Sequence, residues 1–303
     1  MEDIIFFLLG YQVLGKTMMA QRIPTILPEL TLEESLEVTK IHSIVGMLNE
    51  TSPIIKLRPF RTPHYTITAS SLIGGGRNPK PGEISLAHNG VLYLDEFPEY
   101  NKNTIEALRT PMEDGKVTIS RLNSCITYPS DFMLVASMNP CPCGYFGSDI
   151  ECKCSKNSRK KYLEKISGPL LDRIDIKVEV NQINYQDLIN NVVEESSNQI
   201  KNRVEKCRKI QQERYKHLGI HTNSQLTSRQ IEEFCKINSN TEKILEKAFK
   251  KLKLSARAYT RILKVARTIA DMEESIYIEP QHVLEAIQYR NCLLYTSDAA
   301  DEL

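Results

Sequence analysis

The feature that most restricts how this 303-residue chain can fold lies near its start. An unbroken apolar run, Ile4–Leu9, leads into Gly10-Tyr-Gln-Val-Leu-Gly15-Lys16-Thr17, and a helical pattern follows over Lys16–Ile23. A run apolar on both faces fits a strand buried inside a parallel sheet. The segment after it satisfies G-x-x-x-x-G-K-[ST], and phosphate chemistry explains each fixed position. Backbone N–H groups wrap the phosphates, Lys16 neutralises the terminal ones, and the Thr17 hydroxyl ligates Mg²⁺. Gly10, Gly15, Lys16 and Thr17 are therefore candidate residues for binding ATP with Mg²⁺.

The strand pattern recurs. Gly90–Leu94 is a second buried run and delivers Asp95 and Glu96 at its tip; Phe132–Ser137 is a third and ends at Asn139. Following a phosphate loop, Asp95 is expected to hold the Mg²⁺ shell, and Glu96 to orient and deprotonate an attacking water. Between these runs, Ser70–Pro81 reads as loop from its glycines and prolines, Thr104–Asp114 as a helix, and Val117–Tyr128 as a hairpin. Strands alternating with helices give an α/β fold with a parallel sheet and ligands at the carboxyl ends of its strands.

After about Val180 the pattern changes. Asn184–Lys216 and Ser228–Arg290 have helical periodicity, many Lys/Glu pairs and no strand signal. The expected organisation is an α/β core over residues 1–180, a helical connector over 181–222 and an all-α lid over 223–291. Residues 292–303 break from the helical pattern and read as a non-native tail. A chain that opens almost directly on a buried strand also reads as truncated at its N-terminus.

Composition narrows the partners. Lys plus Arg (39) nearly balances Asp plus Glu (38), so a nucleic-acid surface has to be local rather than global. No apolar run approaches the roughly 20 residues that cross a bilayer, and no signal peptide is evident. Eight cysteines without an export signal suggest a reducing compartment, here the cytoplasm. Cys141-x-Cys143 and Cys152-x-Cys154 fall within fourteen residues. Four thiolates so close can close a tetrahedral Zn²⁺ site; free or redox-sensing thiols are the alternative. Lys153, Lys156, Arg159, Lys160 and Lys161 surround them.

Several blocks together resemble one family. Pro59-Phe-Arg-Thr-Pro-His64, Gly82-Glu-Ile-Ser-Leu-Ala-His-Asn-Gly90, Ala136-Ser-Met-Asn-Pro-Cys-Pro-Cys-Gly144, Ser167-Gly-Pro-Leu-Leu-Asp-Arg-Ile-Asp175 and Leu254-Ser-Ala-Arg-Ala-Tyr-Thr-Arg-Ile-Leu263 look like successive blocks of the ComM/YifB family of magnesium-chelatase-like AAA+ ATPases. The resemblance runs from about Leu9 to Arg290. It implies an AAA+ P-loop core with an α-helical lid, assembled as a homo-oligomeric, hexameric ring that acts on DNA as a branch-migration helicase. The alternative within the same resemblance is a chelatase-type motor that remodels a protein partner.

By the same resemblance, Asn139 matches the sensor 1 position and would place the attacking water. Arg173 matches an arginine finger that reaches a neighbouring subunit, and Arg257 matches the sensor 2 arginine of the lid. Taken alone, they read better as an Asn turn, a helix-end Arg and a solvated helix Arg; together, in this order, they favour the functional roles. The hairpin and the Arg58–Lys80 region resemble pore-facing elements of the clade, which makes Arg121 and Lys116 candidate contacts to a DNA backbone. The chain departs from the family pattern at Tyr11–Leu14, where Pro-Pro-Gly-x is usual. A β-branched Val13 in place of glycine resists the backbone angles of a phosphate loop, so weakened nucleotide binding is expected. The resemblance also implies a Lon-protease-like domain and an adenine-packing segment ahead of the present N-terminus.

Overall fold

The computed structural model describes residues 5–10, 15–48, 53–121, 124–180, 194–252 and 254–291. The phosphate-loop residues 11–14, the first part of the expected connector and the tail 292–303 lie outside them. The chain divides into two compact units, one containing Leu8–Ile166 and the other containing Ser167–Glu179 and the C-terminal helices.

Five strands form one parallel sheet: β1 (Ile5–Gly10), β2 (Phe60–Arg61), β5 (Val91–Leu94), β8 (Met133–Met138) and β9 (Ile176–Val180), in the order β2-β5-β8-β1-β9. Val91–Leu94 pairs in parallel register with Met133–Ala136, and Phe60–Arg61 with Val91–Leu92. The three central strands are the three apolar runs of the sequence. Burial on both faces leaves them no polar alternation. At the edges, β9 alternates as Ile-Lys-Val-Glu-Val, and β2 is too short to leave a pattern.

The helices of the first unit are α1 (Lys16–Ile26), α2 (Leu32–Ile44), α3 (Ala69–Ile73), α4 (Glu83–Leu86), α5 (Lys102–Glu106), α6 (Arg109–Asp114) and α7 (Lys156–Leu163). A capping box starts α2: the Thr31 hydroxyl accepts from the Glu34 N–H at 3.2 Å, and Glu34 returns to the Thr31 N–H at 2.8 Å. The expected helix over Thr104–Asp114 is two helices. Pro111 has no N–H to bond the Ala107 carbonyl, so the hydrogen-bond ladder is interrupted at Ala107–Leu108, between α5 and α6. The expected loop over Ser70–Pro81 contains structure of its own. Thr68 caps α3, and Gly74–Gly75 (β3) pairs antiparallel with Lys80–Pro81 (β4).

The hairpin is present as β6 (Lys116–Arg121) and β7 (Ser124–Pro129), in register from Lys116–Pro129 to Arg121–Ser124. Val117, Ile119 and Tyr128 are buried on one face, while Thr118 and Thr127 share a hydrogen bond of 3.0 Å on the other. The buried face packs on the β3–β4 ribbon, where the Tyr128 hydroxyl donates to the Pro79 carbonyl at 2.9 Å. Two quoted sequence blocks are joined in the same region by a bidentate ion pair, Arg61 to Glu83, at 2.7 and 2.8 Å.

The second unit holds α8 (Gly168–Leu171), β9 and a bundle of α9 (Ser197–Tyr215), α10 (Ser228–Phe234), α11 (Ser239–Lys251), α12 (Ala256–Met272) and α13 (Pro280–Asn291). Tyr215, Leu226, Ile231, Leu245, Ile262, Leu263, Ala266 and Val283 form its apolar core. Beside that core, Asp271 is almost fully buried and accepts from Arg214, from Arg267 Nε at 3.1 Å and from Asn223 Nδ2 at 2.9 Å. Arg267 also donates to the Ser275 and Ile276 carbonyls at 2.6 and 2.8 Å. Removing the acid leaves two guanidinium groups without their common counter-charge, the costly way to break a buried pair. Asp271→Asn is expected to lower the stability of this unit by about 3 kcal/mol, read from the midpoint of urea unfolding followed by helical circular dichroism.

Candidate functional site

The carboxyl ends of β1, β5 and β8 converge where the strand order places β1 beside β8, the crevice in which open α/β sheets bind ligands. Gly10 ends β1. A Cβ there would lie 2.7 Å from the Val180 carbonyl oxygen of β9, so the glycine is required by the close approach of two strands. Gly15 is the N-terminal cap of α1 with a φ of 156°, a conformation side chains rarely adopt. From the first turn of α1, Lys16 reaches back across the strand ends. Its Nζ donates to the Gly10 carbonyl at 2.9 Å, the Met138 carbonyl at 3.0 Å and Asn139 Oδ1 at 2.8 Å. Burial pulls the Lys16 pKa below the ordinary lysine value, against the raising influence of Asp95 and Glu96.

Thr17, one residue on, faces the end of β5. Its hydroxyl donates to Asp95 Oδ2 at 3.1 Å and lies 3.3 Å from the Tyr93 hydroxyl. That spacing suits two ligands of one small cation: oxygens at Mg²⁺ distances of 2.0–2.1 Å form octahedral edges of about 2.9 Å. Asp95 Oδ1 accepts from the Glu96 N–H at 3.0 Å and from the Ser137 hydroxyl. Glu96 itself has a left-handed backbone, φ 51° and ψ 46°, and an exposed side chain. Such a backbone is uncommon for a residue with a Cβ, and here it turns the chain sharply as β5 ends.

Of the candidate residues, Lys16 with Asn139 and Thr17 with Asp95 form two hydrogen-bonded pairs side by side at the strand ends, and Glu96 follows Asp95. Arg173 and Arg257 belong to the second unit. Arg173 is buried and donates to the Pro169 carbonyl at 2.8 Å. Its segment is held by two helices of the bundle: Arg261 donates to the Arg173 carbonyl and Asp175, and Arg290 to the Ile174 carbonyl at 2.8 Å. Arg257 is exposed in the first turn of α12. Arg121 lies near the hairpin tip beside Gly75, whereas Lys116 lies at its base, about 17 Å away along the strand. The two basic residues therefore do not form one patch.

Beyond Asn139 the chain enters the cysteine loop. Cys141, Cys143, Cys152 and Cys154 place their sulfurs within 4.8 Å of one another. Three of the separations are 3.3, 3.6 and 3.7 Å. A tetrahedral site with Zn–S bonds of 2.3 Å has sulfur–sulfur edges of about 3.8 Å, so the cluster has the dimensions to hold such an ion. The Tyr145 N–H lowers the Cys143 thiol to about 6, while burial raises the Cys152 and Cys154 thiols. Ser155 then caps α7, where Arg159 stacks 3.8 Å over the Phe146 ring. Tyr162 on α7 is buried, which raises its phenol pKa, while the neighbouring Asn139 backbone acts to lower it.

Tyr93, Ser137 and Tyr162 were not singled out by the sequence patterns. Hydroxyls embedded in apolar strands read as core; the available signal is that Tyr93 and Asp95 lie two residues apart, on one face of β5.

A family model described as magnesium chelatase, subunit ChlI, matches residues 4–188, and its C-terminal counterpart matches residues 194–290. The chain belongs to the magnesium-chelatase-like family that includes ComM and YifB. It is 45% identical over 284 residues to the competence protein ComM of Haemophilus influenzae, covering 93% of this chain and 54% of the relative. It is 44% identical to YifB, an uncharacterized protein of Escherichia coli, covering 93% of this chain and 55% of the relative. A 128-residue stretch is 30% identical to a magnesium-chelatase 67 kDa subunit of Chlorobaculum parvum, covering 42% of this chain and 18% of that subunit. The chain thus spans about half the length of the ComM and YifB relatives it matches.

The backbone at Glu96 gives a test that needs no ligand. Because a Cβ is disfavoured at this left-handed position, Glu96→Gly is expected to be more stable than Glu96→Ala by about 1 kcal/mol, measured by thermal unfolding.

Proposed function

We propose that this chain is the ATP-hydrolysing part of a ring-forming AAA+ motor that acts on DNA, a ComM-like branch-migration helicase. The observation that carries the ATPase reading is the cluster of Lys16, Thr17, Asp95 and Asn139 at three adjacent strand ends. A triphosphate entering there would draw Lys16 away from its carbonyl partners, while Thr17 and Asp95 would hold the Mg²⁺ that shields the phosphates. Glu96 would take a proton from the attacking water, and Asn139, released by Lys16, would orient that water. Arg257 from the lid is the proposed cationic partner of the transition state; Arg173 could serve a neighbouring subunit only by leaving its buried contact with the Pro169 carbonyl. A homo-hexamer is the proposed assembly.

DNA as substrate has separate support. Lys153, Lys160 and Lys161 are exposed around the cysteine loop, and Arg121 is exposed near the hairpin tip. The competence role in the name of the Haemophilus relative suits recombination of DNA during natural transformation. The partial match to a magnesium-chelatase subunit favours a second reading, a motor that remodels a protein partner. Among the described residues no helix is long and apolar enough to cross a membrane, and a cytoplasmic location is proposed with the DNA role.

The deciding measurement is ATP turnover with and without branched DNA, beside a Glu96→Gln control. Turnover that branched DNA stimulates and Glu96→Gln reduces at least a hundredfold supports the DNA motor. Turnover indifferent to DNA favours the protein-remodelling reading. Recovery of turnover only after Tyr11–Leu14 is replaced by Pro-Pro-Gly-Ser assigns the defect to the phosphate loop.

In the same reading Cys141, Cys143, Cys152 and Cys154 hold a structural Zn²⁺. The purified chain is expected to carry about one zinc per molecule, lost in Cys152→Ser, as measured by atomic emission. Metal-free protein whose four thiols oxidise reversibly would instead favour a redox role.

A further inference from the structure

The carboxylate assigned to the metal side of the site is held by groups with no direct part in the chemistry. Asp95 has two oxygens in unlike surroundings. Oδ1 accepts from both the Glu96 N–H, at 3.0 Å, and the Ser137 hydroxyl. Oδ2 faces Thr17 at 3.1 Å. Ser137 in turn accepts from the Tyr93 hydroxyl at 3.1 Å, and Tyr93 lies 3.3 Å from Thr17. Ser137 and Tyr93 are both fully buried.

The strand register explains the constellation. Leu94 pairs with Ala136, so Asp95 and Ser137 are the next residues on their adjacent parallel strands. Two-residue alternation puts Tyr93 and Asp95 on one face of β5. Both hydroxyls sit in strands that are otherwise apolar, Val-Leu-Tyr-Leu and Met-Leu-Val-Ala-Ser-Met. A buried hydroxyl is costly unless it is hydrogen-bonded, and these two find their partners in each other, Asp95 and Thr17. The Tyr93 hydroxyl is the donor to Ser137, and Ser137 the donor to Asp95. With Oδ1 doubly bonded, rotation of the carboxyl is restrained and Oδ2 remains the oxygen aimed at Thr17.

We propose that Tyr93 and Ser137 are positioning residues: their hydroxyl relay pins Asp95 so that Oδ2 meets a divalent cation shared with Thr17. The proposal rests on the ATPase reading and names residues outside its motifs. Outer-shell partners of this kind typically change metal affinity by 10–100-fold.

The test measures binding of a fluorescent ATP analogue by the purified chain as Mg²⁺ is varied, and again in EDTA. Ser137→Ala, Ser137→Thr and Tyr93→Phe are compared with the parent, each first shown to be folded by circular dichroism. Ser137→Ala is expected to raise the Mg²⁺ concentration for half-maximal binding by about tenfold, leaving binding in EDTA unchanged. Tyr93→Phe is expected to give a smaller shift in the same direction, and Ser137→Thr, which keeps the hydroxyl, to restore the parental value. An unchanged Mg²⁺ midpoint in Ser137→Ala overturns the positioning role while parental binding upholds the ATPase reading. An equal loss in Mg²⁺ and in EDTA also overturns it, since that is general damage. A chain that binds no nucleotide under either condition, even after Tyr11–Leu14 is replaced by Pro-Pro-Gly-Ser, overturns the ATPase reading and, with it, this proposal.

Discussion

The half-buried ammonium of Lys16 organises the first unit. A cation drawn out of water needs oxygens around it, and the ends of parallel strands supply them because the last carbonyls of β1 and β8 point beyond the sheet. Gly10 and Met138 provide two of these, and the Asn139 side chain provides a third. This arrangement requires β1 and β8 to be neighbours, which the strand order makes them, although more than a hundred residues separate them in sequence. One lysine thereby fixes the start of α1, the end of β8 and the rotamer of the asparagine that follows it. An incoming phosphate would have to compete with these three bonds, so the same contacts that order the site oppose its occupation.

The acidic half of the site is ordered by different means. The left-handed Glu96 turns the chain after β5 and brings the Glu96 N–H onto Asp95 Oδ1. Its carboxylate is consequently exposed while that of Asp95 is tethered, which separates a group able to meet water from one able to hold a cation. Proximity alone would not give two adjacent acids such different surroundings.

How much of this could be read from the sequence depended on burial. The strands β1, β5 and β8 are central, apolar on both faces and therefore visible as continuous runs. The edge strands were not read: β2 has two residues, and the alternation of β9 was lost at the boundary with the helical pattern. Pro111 divided an expected helix, a local rule overlooked in favour of periodicity. In the site, Lys16 and Thr17 were legible because phosphate chemistry fixes their spacing, Asp95 because it is an acid at the tip of a buried strand, and Asn139 only through the family resemblance. Ser137 and Tyr93 were not, since their role exists only through the pairing of two strands. Motif blocks also mix duties. Arg61 and Glu83 bind each other, and the carbonyls of Asp172–Ile174 are held by Arg261 and Arg290, so part of each block is there to shape the backbone.

Asn139 shows how far such shaping extends. Its side chain holds Lys16, and its backbone neighbours the Tyr162 phenol, 23 residues later on α7. The chain between them is the cysteine loop, with Cys141 two residues beyond Asn139 and Cys154 immediately before the cap of α7. The segment leaves Asn139, folds on four sulfurs, runs along a capped helix and returns to the neighbourhood of Asn139. Loop closure of this length carries a substantial entropic cost, which the sulfur cluster and the Arg159–Phe146 stack help to offset by restricting the excursion. The thiols are crowded enough that ionising one raises the cost of ionising the next, so without a cation the cluster resists the charge that would make it a good ligand set. A dication would remove that repulsion and, by drawing the four sulfurs together, hold the loop that begins two residues after Asn139.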